Sequence, residues 1–326
     1  MRLALPLLAL SACVAHAPAP DGDDDALARR WDKVRVVTWN IETVGTPGSA
    51  EYDAALDVLG RLDADVVALQ EIASAADDAN LVDLAADAGY ADLAIGTSQF
   101  GGDHVAILSR RALLDVAVLD APTLSGDPLA ADLTRDFLRV EVQTRGAPLV
   151  VVTNHWKCCS GDTYEFRRTV ESRRAAQAVA AYDPATDPVL VLGDFNEDPA
   201  DLPLFPASFG AMPSGLPGSY WLGADLYGEL TGPGLDNDPL APLFDAGLPR
   251  IPFAQRDGAL DTFIAGGTLD LAFLSPAAPL TAAEIYDDRD EGLPSALHLT
   301  TAPLPAGTVA TASDHHPLAL EIKVRR

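Results

Sequence analysis

Six times along this chain a short apolar, β-rich run meets a cluster of Asp, Glu, Asn or His. Val34 to Trp39 stops at Asn40, and Val66 to Leu69 stops at Gln70-Glu71. Leu149 to Thr153 leads into Asn154-His155, and Val189 to Leu192 into Gly193-Asp194-Phe195-Asn196. Asp270 lies at the start of Leu269 to Leu274, and Ser313-Asp314-His315-His316-Pro317 lies just before Leu318 to Val324. Continuous apolar runs of this length are strands covered on both faces. Their polar ends cannot sit unpaired in a core, and each cluster supplies residue types that metal-assisted chemistry on phosphorus requires.

Between these runs the pattern changes period. Ala50 to Leu62 is amphipathic, with Tyr52, Leu56 and Leu59 on one face, and Leu81 to Ala88 is a second, short helix. Val105 to Leu108, Leu113 to Leu119 and Phe137 to Val142 continue the strands. Asp162 followed by Glu165 resembles a capping pair and opens a helix through Ala181 whose core face carries Phe166, Val170 and Ala178. From Glu197 to Gly258 the chain is rich in Pro, Gly and Asp with little periodicity, the signature of long functional loops. No internal repeat is visible. Many strands, hairpins and few helices predict two sheets packed on each other and flanked by helices.

Charge narrows the functions. The 326 residues hold 22 Lys plus Arg against 48 Asp plus Glu, a formal charge of −26. Lys33, Lys157 and Lys323 are its lysines. A protein that captures a phosphate backbone by its own field needs clustered cations, so a simple electropositive clamp is excluded. If phosphate is handled, positive charge must come from elsewhere. Strand ends bearing carboxylates, amides and imidazoles, with no Cys among them, form a hard-oxygen set suited to Mg²⁺.

The ordered elements Thr38-Trp39-Asn40-Ile41, Leu69-Gln70-Glu71-Ile72, Thr153-Asn154-His155, Gly193-Asp194-Phe195-Asn196, Thr268-Leu269-Asp270-Leu271 and Ser313-Asp314-His315-His316-Pro317 resemble the endonuclease/exonuclease/phosphatase superfamily, the DNase I-like phosphoesterases. The resemblance implies a four-layered α/β/β/α sandwich of two mainly antiparallel sheets, with the site at one end. It implies Glu71 as the principal metal carboxylate, with Asn40 and Asp314 as companions, for Mg²⁺ or its substitute Mn²⁺. Asp194 would activate or orient the attacking water, and Asn196 would position it and hydrogen-bond the phosphate. His155 and His315 would contact the scissile phosphate in acid/base roles, Asp270 orienting His315. Where the family often places a Tyr, Arg or Asn against phosphate, this chain has Asp103 or His104, and His104 is the expected stand-in. Lys157 and Arg167 would add a local basic patch, whereas Arg168 fits a solvated helix face beside Glu165 and Glu171.

The resulting expectation is a Mg²⁺-dependent phosphoesterase, first a nuclease-type phosphodiesterase. The alternatives are a sphingomyelinase-like phospholipase, an inositol or small-ester phosphatase and, from another class, an inactive binding module on the same fold. Apolar loop segments such as Leu202 to Phe205 and Ser219 to Leu222 would suit approach to lipid. A monomer is expected.

Arg2 and the apolar run Leu3 to Leu10 are too short to span a bilayer and fit a secretory signal. Leu10-Ser11-Ala12-Cys13 resembles a lipobox, making 1–12 the signal, Cys13 the lipidated residue, 13–33 an acidic, Pro-containing tether and 34–326 the catalytic domain, with a loop insertion at about 197–258. Pro18 disfavours the competing cut after Ala15-His16-Ala17. An exported, envelope-bound lipoprotein held by its lipid anchor is the expected location. Cys158 and Cys159 are adjacent, and a strained vicinal bridge, two small buried hydrophobes or free thiols all remain open.

Overall fold

A computed structural model describes residues 30–98, 100, 102–200, 209–232 and 238–326. The signal, Cys13 and most of the tether lie outside the described residues, as does Leu202 to Phe205. In chain order the elements are β1 (Trp31–Asn40), α1 (Ala50–Leu62), β2 (Val66–Ile72), α2 (Ala75–Asp87), β3 (Asp92–Ile95), β4 (His104–Ser109), β5 (Leu113–Leu119), α3 (Ala121–Ser125), β6 (Phe137–Val142), β7 (Leu149–His155), α4 (Asp162–Val179), β8 (Val189–Asp194), α5 (Ala224–Thr231), α6 (Ala241–Asp245), β9 (Asp270–Leu274), β10 (Leu280–Ile285), α7 (Thr308–Ala312) and β11 (Leu318–Arg325).

One sheet has six strands in the order β10-β11-β1-β2-β4-β3, the other five in the order β5-β6-β7-β8-β9. Each is antiparallel except for one central parallel pair, β1 with β2 and β7 with β8. Strand alternation sorts the side chains into layers. Val34 and Val36 of β1, Val66 and Ala68 of β2, Leu149 and Val151 of β7 and Leu190 and Leu192 of β8 meet between the sheets. Val37, Trp39, Val67 and Leu69 face the other way, onto Tyr52, Ala55 and Val58 of α1. Val150, Val152 and Val191 cover the outer face of the second sheet beneath Ala175 and Ala178 of α4 and Leu243 of α6. The result is the α/β/β/α sandwich expected from the sequence. Burying each such Val or Leu contributes about 1.5 to 3 kcal/mol, so the layers hold firmly and their ends can carry polar groups.

The same alternation fixes where polarity begins. One step beyond the apolar layer, Thr38, Gln70 and Thr153 are fully buried. Gln70 Nε2 donates to Thr38 Oγ1 at 3.1 Å and, across the sandwich, to Thr153 Oγ1 at 3.0 Å. One further step along β1 and β7 lie Asn40 and His155, and level with His155 Asp194 ends β8 and Asp270 opens β9. Sequence spacing therefore delivers side chains from both sheets to one mouth.

Two backbone features complete the delivery. Pairing of β2 with β4 slips between Leu69 and Ile72, and Glu71 sits there at φ +63°. This bulge flips the alternation: Ile72 joins Val67 and Leu69 on the helix face, and Glu71 is left at the mouth. Gly193 (φ +143°) lies opposite Asn154, and a Cβ there would come within 2.0 Å of the Asn154 carbonyl oxygen. No other residue permits β7 and β8 to approach this closely just before His155 and Asp194.

Several elements differ from the sequence reading. β1 begins at Trp31, so residues 31–33, placed in the tether, pair with β11, and Asp32 is buried because Arg111 Nη1 and Arg145 N donate to it. α2 begins at Ala75 because Ser74 caps Asp77 N. The capping pair of α4 does not form: Gly161 holds the N-cap position without a side-chain bond, and Glu165 turns to Arg168. Inside 197–258, α5 packs Leu226 and Leu230 with Tyr220 and Leu222 onto Phe166 and Val170 of α4, a small core of its own. Short β3 and weakly apolar β10 escaped the pattern. Gly193→Ala is expected to cost more than about 2 kcal/mol, read as a lowered denaturation midpoint; an unchanged midpoint would show that β7 yields to the added methyl.

Candidate active site

Asp194, at the end of β8, is the centre of the mouth. Its Oδ1 accepts from Asn196 N at 2.8 Å and its Oδ2 accepts from Asn40 Nδ2 at 3.0 Å. The same Asn40 amide donates to Glu71 Oε1 at 3.0 Å, and its oxygen accepts from Glu42 N at 3.0 Å. Asn40 thus ties together carboxylates of both sheets. Its NH₂ group faces the cluster, so ligating a cation through Oδ1 requires the amide to turn over.

Two imidazoles aim at this carboxylate from opposite strands. His155 Nε2 lies 3.5 Å from Asp194 Oδ2 and 3.7 Å from Glu71 Oε1, with Nδ1 backed at 3.0 Å by Asp103 Oδ2. His315 Nε2 lies 4.0 Å from Asp194 Oδ2 and 3.9 Å from Asp314 Oδ1, with Nδ1 backed at 2.7 Å by Asp270 Oδ2. The hydrogen bond between His315 Nδ1 and Asp270 fixes that ring and leaves Nε2 to the centre, while Asp103 stands behind His155 as a charged neighbour. His315 is further held through its backbone: its N–H donates to Ser313 Oγ, its carbonyl accepts from Trp39 Nε1, and Ser313 Oγ donates to Asn40 O. Burial alone would lower the His315 imidazole, but the charges of Asp270, Asp194 and Asp314 outweigh it and push it up to about 10. Burial in turn raises the Asp270 carboxyl, opposed by His315.

The phosphate-contacting neighbourhood was expected to be filled by Asp103 or His104, with His104 the stand-in. Arg135 grips Asp103 in a fork, Nε to Oδ2 at 2.7 Å and Nη2 to Oδ1 at 2.9 Å. Burial would raise the Asp103 carboxyl, yet His155 and Arg135 hold it well below the carboxylate range. His104 is turned outward to Asp78 Oδ1 at 2.7 Å, and no described contact joins it to the cluster. Arg167 is buried between the rings of Phe100 and Tyr220 and donates to Thr134 Oγ1. Lys157 Nζ lies on Cys158 Sγ. Arg168, expected on a solvated face, is buried between Glu165 and Glu197. Asn196 (φ +50°) donates Nδ2 to the Trp156 carbonyl at 3.1 Å. The structure thus brings together Asn40, Glu71, His155, Asp194, Asp270, Asp314 and His315, places Asn196 beside them, and does not join His104 or Arg167 to them.

The donor set fits a divalent cation. Glu71, His155 and Asp194 present ligand atoms within 4.8 Å of one another, as do Asp194, Asp270 and His315. Glu42, which the sequence reading missed, is pushed up by partial burial and by facing Asp314 and Glu71. Among the described residues no Lys or Arg pairs with Glu42, Glu71 or Asp314. Converging carboxylates without a cationic partner repel one another unless a cation separates them. The available signal for Glu42 was its place two residues beyond the end of β1; for Asp103, its place directly before β4.

Oxygen donors for a cation, a carboxylate at the centre and two backed imidazoles are what one chemical class requires, the hydrolysis of phosphate esters. The chain belongs to the endonuclease/exonuclease/phosphatase family, whose model matches residues 37–315, and is a hydrolase acting on phosphate esters. No curated protein sequence matches it. Among solved structures it is similar to an endonuclease/exonuclease/phosphatase from Beutenbergia cavernae (20% identity, 91% of this chain and 72% of that one, TM-score 0.58). It is also similar to ANGEL2, a 2′,3′-cyclic phosphatase (16%, 90% and 96%, 0.58), and to D. rerio TDP2 complexed with single strand DNA product (17%, 89% and 99%, 0.54).

Two outcomes follow for the site. Mg²⁺ should raise the melting temperature of the wild type with concentration and do so far less for Glu71→Gln; equal shifts would remove Glu71 from the cation site. In the metal-free protein the pair of His315 with Asp270 contributes stability that is complete below about 6.5 and lost as pH rises through about 10. Asp270→Asn should abolish that alkaline loss and return the imidazole titration, followed by NMR, toward its ordinary value; a wild-type His315 titrating there already would contradict the geometry.

Proposed function

We propose that this protein is a Mg²⁺-dependent phosphodiesterase of the nuclease type that acts on one phosphate at a time. The observation that carries the reading is the convergence of two carboxylate-backed imidazoles on Asp194 beside Glu71. Glu71 and Asp314, joined by Glu42 and, after turning its amide, Asn40, would hold the cation, Mn²⁺ serving as a substitute. Bound there, the cation supplies charge neutralisation of the phosphate and of the developing transition state. Asp194 orients a water for in-line attack and draws its proton. Asn196 positions that water and donates to the phosphate. His155 and His315, oriented by Asp103 and Asp270, contact the non-bridging oxygens and provide the proton for the leaving group.

Nucleic acid as substrate class is supported by the likeness to a protein holding a single strand DNA product and to a 2′,3′-cyclic phosphatase. Arg135 and Arg168 are spent on internal carboxylates, so binding should depend on salt less than in a basic nuclease. A lipid-headgroup phosphodiesterase is the second reading, favoured by the exposure of Leu129 and Trp221. The lipobox at Cys13 supports an exported, lipid-anchored enzyme whose domain follows the tether, and the self-contained sandwich is consistent with a monomer.

The test is one panel: duplex and single-stranded DNA, RNA, sphingomyelin, inositol phosphates and an aryl phosphodiester, each with Mg²⁺ and with EDTA. Turnover on nucleic acid that EDTA abolishes and that falls by at least about 100-fold in His155→Ala is the expected result. Turnover indifferent to both would overturn it, and turnover on sphingomyelin alone would select the second reading.

A further inference from the structure

The loop leaving β7 carries two sulfurs that phosphate ester hydrolysis does not use. Cys158 is half-buried, Cys159 is exposed, and both thiols are free. In extended chain successive side chains point to opposite faces. Here Cys159 adopts φ +81°, and the two Sγ atoms lie 2.9 Å apart. Lys157 Nζ, with Tyr164 beneath it, lies 3.2 Å from Cys158 Sγ. Burial would raise the Cys158 thiol, but hydrogen bonds from Cys159 and Lys157 outweigh it and hold it below its ordinary value.

The loop is anchored carbonyl by carbonyl. Trp156 O, next to His155, accepts from Asn196 Nδ2 at 3.1 Å and Arg135 Nη1 at 3.2 Å. Lys157 O and Cys159 O both accept from Arg168 Nη1, at 2.8 and 2.7 Å. The backbone on which the sulfurs ride is therefore the backbone that seats Asn196 and Arg135, the partner of Asp103.

We propose that Cys158 and Cys159 form a thiol–disulfide exchange site that reacts with a low-molecular-weight disulfide of the glutathione class and closes to a vicinal disulfide, lowering turnover at the neighbouring site. The Cys158 thiolate attacks one sulfur of the small disulfide, forming a mixed disulfide and releasing one thiolate. The Cys159 thiolate then attacks Cys158 Sγ, forming the vicinal bond and releasing the second. The two protons of the protein thiols end on the two released thiols, and the pair loses two electrons to the small disulfide. Adjacent Cα atoms are about 3.8 Å apart, closer than the usual disulfide span of about 4.4 to 6.8 Å. The connecting peptide must therefore twist, drawing the Lys157 and Cys159 carbonyls off Arg168 and disturbing Trp156.

The full chain is incubated with glutathione disulfide or with dithiothreitol. The tryptic peptide Cys158–Arg167, which holds both sulfurs, is mapped by mass, and Mg²⁺-dependent turnover of an aryl phosphodiester is followed in parallel. The expected result is loss of two hydrogens from the peptide under glutathione disulfide, an about tenfold fall in turnover of the kind small misplacements produce, and recovery of both with dithiothreitol. Cys159→Ser should stop at the glutathione adduct on Cys158. A peptide that stays reduced, or a ring that closes with turnover unchanged, overturns the proposal. The turnover arm rests on the phosphodiesterase reading: a ring that closes in a chain inactive in both redox states supports the exchange site and counts against that reading instead.

Discussion

The buried amide of Gln70 spans the sandwich, donating to Thr38 of its own sheet and Thr153 of the other. All three side chains are fully buried and a lost partner costs about 1 to 3 kcal/mol, so the two sheets can settle in only one relative setting at this end. Because Asn40, His155, Asp194 and Asp270 lie at the adjoining ends of strands locked in that setting, their mutual distances are set by the sheets and not by loops. Asn40 repeats the device one layer up, with one amide between Glu71 and Asp194.

Electrostatics at the mouth follow from how sparingly the chain spends positive charge. Nearly every guanidinium near the site is occupied: Arg135 by Asp103, Arg168 by Glu165 and Glu197, Arg174 by Asp132 and Asp225. These pairs position backbone and imidazoles and leave little field for a distant polyanion. The carboxylates at the mouth, in contrast, face one another. Attraction for a phosphate is thus conditional on a cation already seated among them, which couples substrate binding to cation binding.

The sequence was legible wherever function lay in register with apolar alternation. Asn40, His155, Asp194 and Asp270 continue the inward series of their strands, and α1 buries the expected Tyr52 and Leu59 with Leu56 half-buried beside them. Legibility failed where tertiary contact assigns the role. Nothing local distinguishes Asp103, held by Arg135 from the loop before β6, from the many surface carboxylates. Arg168 reads as a solvated helix face until Glu197, distant in sequence, covers it. The Pro- and Gly-rich segment hides α5 because that helix depends on packing against Phe166 and Val170 and not on its own periodicity.

Glu71 at φ +63° and Asn196 at φ +50° hold backbone conformations in which glycine carries no steric penalty. The fold would be more relaxed with glycine at both, so part of its stability is surrendered at positions whose side chains reach the mouth. Selection for thermal tolerance alone would therefore drift toward Glu71→Gly and Asn196→Gly, and a library sorted only by melting temperature would enrich well-folded proteins stripped of their chemistry.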